Sequence, residues 1–172
     1  MFEMDRDAFE ELYAEHARPL VRFLMYRTGD AALAEDIAAD TFERVLRARR
    51  SFDPRKASKK TWLYAIALNA LRDHQRRLGA EARALDRVTS LPSQQEDGPF
   101  EELAVRAAVA AQLALLARDE REAVALRYGA DLSVAEIARV TGARPATVEK
   151  RLYRALAKMR QRLSEDALRS TT

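Results

Sequence analysis

Apolar residues recur at three- and four-residue spacing along most of the chain, the pattern of amphipathic helices. Phe9, Leu12, Tyr13, Leu20, Phe23 and Leu24 form the first stripe and predict a helix from about Asp5 to Tyr26. Pro19 falls inside it, so a kink or short break is expected near Arg18. Gly29 and Asp30 supply a stop and a fresh cap, and Leu33, Ile37, Phe42, Val45 and Leu46 mark a second helix. A third is expected over Thr61–Arg77, TWLYAIALNALRDHQRR. Here Trp62, Ile66, Asn69, Ala70 and Asp73 fall together, as do Leu63, Ala67 and Leu71. Periodicity fades after residue 78 and is lost in TSLPSQQEDGP, which reads as a linker. It resumes over Glu101–Leu116, and a further helix, capped by Asp119, is expected to run to Tyr128 and stop at Gly129. Leu103, Val109, Leu113, Leu116, Val124, Leu126 and Tyr128 are the expected core of this second unit.

The last periodic stretch, LSVAEIARVTGARPATVEKRLYRALAKMRQRL over residues 132–163, reads as two helices and a tight turn. Ser133 and Glu136 have the spacing of a capping box, in which each side chain answers a backbone N–H of the other. Gly142 suits the left-handed stop of the first helix, and Pro145 the first turn of the second, where its missing N–H has no partner to lose. A short helix, a Gly-containing turn and a longer basic helix make a helix-turn-helix, whose second helix enters a DNA major groove. An ordinary helical hairpin in an all-α core is the competing reading.

The expected fold is therefore all-α, with two small helical domains at 5–88 and 101–166 joined by a flexible linker at 89–100. A length of 172 residues accommodates this. The chain has no cysteine, which excludes disulfides and thiolate metal sites. Its N-terminus, MFEMDRDAFEELY, is acidic and amphipathic, unlike a signal peptide. No run approaches the roughly 18 apolar residues of a membrane span. A cytoplasmic protein with no membrane insertion is expected.

Charge changes the picture more than composition does. The net charge is only +3, but it alternates in blocks. Residues 1–43 carry a net −7, residues 44–87 a net +9, residues 88–123 a net −4 and residues 124–172 a net +5. Two basic blocks, each after an acidic one, suggest two nucleic-acid-facing surfaces. In the second helix Asp36, Asp40 and Glu43 oppose the apolar stripe. Carboxylates at i, i+4 repel slightly, so the pair either presents itself to a basic partner or forms a plain solvated face. Trp62 and Tyr64 sit beside Arg55, Lys56, Lys59 and Lys60. Single-stranded DNA is held by such mixtures, bases stacking on rings while cations hold phosphates; Trp62 serves equally well as a core anchor. Asn69, a poor helix former, offers amide donors and acceptors.

Enzymatic chemistry finds no constellation. His16 and His74 lie in different helices and lack metal-ligand spacing, and there is no phosphate-cradling Gly-rich loop, no G-x-S-x-G and no thiol nucleophile. No catalytic residue, metal or cofactor is expected.

Three segments together resemble a bacterial RNA polymerase sigma factor of the extracytoplasmic-function (ECF) type. AEDIAADTFERVLR resembles the part of region 2 that docks on the polymerase β′ clamp helices. TWLYAIALNALRDHQRR resembles the region 2 segment that melts and reads the −10 promoter element. RDEREAVALRYGADLSVAEIARVTGARPATVEKRLYRALAKMRQRL resembles region 4, which binds the −35 element and packs on the β-flap. The resemblance covers nearly the whole chain, in the right order.

By this resemblance Asp36, Asp40 and Glu43 are the core-polymerase contact, with Ala39 where the family often carries Gln. Arg55, Lys56, Ser58, Lys59, Lys60, Trp62, Tyr64 and Asn69 become the −10 reader, with Arg72, Arg76 and Arg77 along the adjoining backbone. The chain reads KKTWLY where many relatives carry an aromatic and an arginine before TWLY. In region 4, Arg144, Ala146, Thr147, Lys150, Arg151 and Arg154 are the groove-facing candidates, while Val148, Leu152, Ala155 and Met159 face the core. Glu149 stands where relatives often have Lys. The implied partners are core RNA polymerase, promoter DNA and an anti-sigma factor. A stand-alone helix-turn-helix regulator, or a helical adaptor whose basic blocks bind acidic proteins, are the alternatives from other classes.

Overall fold

Asp5 starts the first helix, α1 (Arg6–Thr28), its side chain accepting from the Ala8 N–H at 2.8 Å. The structure, a computed structural model, describes residues 4–84 and 108–169. The chain divides into two units, Met1–Ser93 and Gln94–Thr172. The linker expected at 89–100, and Leu103 of the expected core, lie outside the described residues.

In the first unit α1 runs through Pro19 without the expected break. Proline removes one backbone bond and crowds the preceding turn. Leu20, Phe23 and Leu24, all fully buried just after it, hold the second half of the helix in line with the first. Gly29 ends α1 at φ +70°, its N–H donating to the Met25 carbonyl at 2.8 Å. Asp30 then caps α2 (Ala31–Ala48) by accepting from the Leu33 N–H at 3.0 Å. A 3-10 turn at Arg49–Ser51 follows. Ser58 opens α3 (Lys59–Ala84), its hydroxyl accepting from the Thr61 N–H at 3.1 Å.

These three helices pack on one another around Leu12, Leu20, Phe23, Leu24, Ile37, Val45, Leu63, Leu68 and Leu71. Phe42 stacks edge-on against Phe9 and Tyr13, with centroids 6.3 and 4.7 Å away. Two expected stripe residues stay out of the core: Tyr13 is 52% exposed and Leu46 43%. Both border an apolar groove between α1 and α2 floored by Ala17, Ala38 and Phe42.

His16 is buried in this unit, 3.7 Å from Glu15. Burial lowers its pKa below the usual 6.5, with Glu15 opposing and Lys60 adding to the shift. The folded unit therefore binds fewer protons than the unfolded chain once pH drops below about 6.5, and stability declines as pH falls through that range. Thermal unfolding followed through the single Trp62, in the same unit, should show a midpoint that drops from pH 7.5 to pH 5.5. His16→Gln should flatten that dependence. An unchanged slope in the variant would assign the effect elsewhere.

In the second unit residues 108–114 are helical and are called α4 here. Arg121 binds the end of this helix, donating to the carbonyls of Leu113, Ala114 and Leu116 at 2.8, 2.7 and 3.1 Å. One guanidinium thereby ties together carbonyls of the helix end and of the turn that follows it. The next helix, α5, covers Arg118–Val124, with Ala117 rather than Asp119 at its cap position. Glu120 closes the first turn, accepting from the Ala117 N–H at 3.3 Å. Instead of continuing as α-helix to Tyr128, the chain widens into a π-turn at Ala125–Gly129. The Ala130 and Leu132 N–H groups donate back to Ala125 and Leu126, and Asp131 sits at φ +53°. This reverses the chain and turns Tyr128 outward, at 62% exposed. Val109, also expected inside, is 38% exposed.

Helix α6 (Val134–Thr141) begins with the expected capping box. Ser133 accepts from the Glu136 N–H at 3.3 Å while Glu136 accepts from the Ser133 N–H at 2.8 Å. Gly142 ends it at φ +72°, and Pro145 opens α7 (Pro145–Arg169). Val148, Leu152 and Ala155 of α7 are buried with Leu126, Leu132 and Ile137, and Met159 lies half-buried at the end of that row. No strand occurs among the described residues.

Candidate nucleic-acid interface

Helices α2 and α3 pack with their polar sides joined by a chain of charges. Arg44 spans them, with Nε 3.0 Å from Asp40 Oδ1, Nη2 2.9 Å from Asp40 Oδ2 and Nη1 2.7 Å from Asp73 Oδ2. Asp73 also takes Arg76, at 2.7 Å, and His74 Nε2 lies 3.5 Å from Asp40. The Arg44 bond holds the Asp73 carboxyl below the ordinary carboxylate range, and the two acids hold Arg44 more firmly protonated. The three acids of α2 are therefore not equivalent. Asp40 is half-buried and committed to Arg44, and Glu43 is exposed and pairs with Arg47 at 2.9 Å. Asp36 is exposed and makes no ion pair among the described residues.

The basic loop before α3 is exposed at Arg55, Lys56 and Ser58, and Lys59 and Lys60 in the first turn of α3 are half-buried. Asp53 ties it down, accepting from the Arg55 backbone N–H and from its guanidinium, both at 3.0 Å. That bond lowers the Asp53 pKa. Lys59 lies 3.8 Å from Glu11 of α1. Ser58 is engaged as the start of α3, sharing a 2.9 Å bond with Thr61 as well. Along α3, Asn69, Arg76 and Arg77 are exposed and Arg72 is half-buried.

The two aromatic candidates separate. Trp62 is half-buried, tilted against Phe52 with centroids 5.1 Å apart, and keeps part of its ring on the surface. Tyr64 is fully buried, edge-on to Phe23 at 5.3 Å. A base cannot stack on a ring with no exposed face, so Tyr64 leaves the DNA-facing set. Two residues from Trp62, it turns to another side of the helix. Its hydroxyl finds no hydrogen-bond partner among the described residues, and burial raises its pKa above the usual 10.0.

In the second unit the candidates on and before α7 form one outward face: Arg144, Ala146, Thr147, Lys150 and Arg154 are exposed. Arg151 is half-buried and donates to Asp119 of α5 at 2.6 Å. Glu149 is exposed on the same helix. Behind this face Lys158 donates to both oxygens of the buried Glu120 at 2.8 Å, which lowers the Glu120 pKa. Sequence spacing placed Asp73 on a helix face and Asp119 at a cap but gave neither its arginine partner, because Arg44–Asp73 and Arg151–Asp119 each join two different helices.

Comparison with known proteins gives two family matches. Residues 12–81 match Sigma-70 region 2 and residues 106–159 match Sigma-70, region 4. The chain is similar to the RNA polymerase sigma factor CarQ of Myxococcus xanthus, 35% identical over 163 residues that cover 93% of this chain and 91% of CarQ. It is also similar to the ECF RNA polymerase sigma factor BldN of Streptomyces coelicolor, 32% identical over 95% of this chain, although it spans only 63% of BldN's length. In structure it is similar to CnrH, solved with the cytosolic domain of CnrY, at TM-score 0.72 and 28% identity over 94% of this chain and 91% of that one. It shares its fold with the sigma factor RpoE solved with the anti-sigma factor NepR from Bartonella quintana, at TM-score 0.74, 23% identity and coverage of 91% and 96%. No described helix is long and apolar enough to cross a membrane.

Proposed function

The chain belongs to the ECF RNA polymerase sigma factors, alternative subunits that direct promoter-specific transcription initiation, and we propose how its residues divide that work. Residues 5–88 act as the region 2 unit and residues 101–166 as region 4. The protein performs no chemistry of its own and works in the cytoplasm. Its task is to carry core polymerase to a promoter and to open the DNA there.

Asp36 is the leading core-polymerase contact, assisted by Glu43, with Asp40 as the less accessible third member. What supports this order is exposure: Asp36 alone of the three lacks an internal ion pair among the described residues. The −10 reader is Trp62 with Asn69 and the cations Arg55, Lys56, Lys59, Lys60, Arg72, Arg76 and Arg77. Ser58 serves it by starting the helix that carries it. A flipped or separated base stacks on an exposed ring for about 1–3 kcal/mol, enough to offset much of the unstacking. Arg144, Ala146, Thr147, Lys150, Arg151 and Arg154 meet the −35 element in the major groove. The observation that carries the reading is the pair of family matches in order on one chain, each coinciding with an exposed basic face. CnrH is solved with a protein partner, and a partner of the anti-sigma type is proposed here too.

In vitro transcription with purified core polymerase over a randomised promoter library tests this. Initiation that depends on the protein and selects two separate sequence elements is the expected result. Tight binding to duplex operator DNA without polymerase, and no initiation with it, would instead identify a stand-alone regulator.

A further inference from the structure

We propose that Asp119 is a positioning residue for −35 recognition, its carboxylate holding the Arg151 guanidinium at the edge of the groove-facing surface of α7. The proposal rests on the assignment of α7 as the −35 reader. Arg151 differs from its neighbours on that face. Arg144, Thr147, Lys150 and Arg154 stand exposed, whereas the Arg151 side chain is only 28% exposed and reaches back to α5, Nη2 to Asp119 Oδ2 at 2.6 Å. The two residues are 32 positions apart, so the contact comes from the tertiary fold.

The frame behind the pair is independently fixed. Seven residues along α7, on the same side of the helix, Lys158 donates to both oxygens of Glu120, the residue beside Asp119. Glu120 is buried and also accepts from the Ala117 N–H. That pair already ties α7 to α5. Asp119 is 61% exposed, and an ion pair so open to solvent adds little to stability. Its effect falls instead on the arginine. A guanidinium carries five N–H donors in a rigid fork, and one arm held by a carboxylate leaves the others aimed in a set direction. An arginine oriented before binding loses less side-chain freedom when it meets a base edge or phosphate. The same carboxylate cancels one positive charge on the face, which weakens sequence-independent attraction to phosphates. Asp119 therefore raises discrimination and lowers general affinity together, a combination that a purely structural contact does not produce.

The test uses full-length protein assembled with core polymerase, transcribing a library with a randomised −35 region. With Asp119→Ala, sequence preference should drop about tenfold at one or two adjacent −35 positions while the others keep theirs. Retention of the holoenzyme on non-promoter duplex should become steeper in salt by about one unit of log–log slope. Arg151→Ala should erase the same positions, and the double variant should lose no more than Arg151→Ala does alone. Asp119→Glu, which keeps the charge and an acceptor, should restore most of the preference. A uniform loss across the element, or a preference identical to wild type, would overturn the proposal. If the wild-type holoenzyme selects no −35 element at all, the assignment of α7 fails first and the proposal with it.

Discussion

Asp36→Lys is expected to weaken binding to core polymerase by tenfold or more while leaving the first unit's stability nearly unchanged. The residue is exposed on the second helix and pairs with nothing among the described residues, so its replacement leaves no buried partner stranded. A lysine facing a basic docking surface adds like-charge repulsion to the lost attraction, and such juxtapositions cost several kcal/mol. Asp40→Lys is a poorer probe. It would put a second cation against Arg44 and break the bridge to Asp73, so lost binding could arise from disturbed packing of α2 on α3. Competition binding to core against a second sigma factor, at two salt concentrations, gives the measurement. Unaltered affinity for Asp36→Lys and Glu43→Lys together would remove this face of α2 from the docking surface.

The signals legible in the sequence were the local ones. Asp30 and Ser133 cap helices, and Gly29 and Gly142 end them, because a cap needs only a side chain and a backbone group three residues apart. The register of α7 was equally readable, since Val148, Leu152 and Ala155 repeat at helical spacing and are buried. What failed was anything set by a distant partner. Pro19 breaks no helix because the residues after it are anchored in the core. Asp119 looks like a cap in sequence, but it sits inside the first turn of α5 and spends its charge on Arg151. Tyr128 fits a helical stripe, yet the π-turn rotates it outward.

Tyr64 makes the same point with the largest energetic contrast. An aromatic flanked by lysines reads alike whether it stacks on a base or on Phe23, and only burial separates the two. With no exposed surface and an unpaired hydroxyl, Tyr64 is expected to tolerate Phe well. Tyr64→Phe removes a buried oxygen that has no hydrogen bond, so it should leave stability within about 1 kcal/mol or raise it. It should also leave −10 single-strand binding by the holoenzyme unaltered. Phe23→Ala, by contrast, empties the site against which Tyr64 packs and should cost about 3–5 kcal/mol, much of what a small helical unit has. Trp62→Ala separates the functions the other way. That ring is half-buried against Phe52, so stability should fall moderately, but the loss of a stacking surface should reduce promoter opening more than the stability change explains. Chemical denaturation followed by circular dichroism, alongside permanganate footprinting of open complexes, measures both quantities on the same variants. If Trp62→Ala left opening unchanged, Trp62 would leave the −10 reader; if Tyr64→Phe impaired it, the Tyr64 hydroxyl would have to reach the DNA by a movement of α1 away from α3.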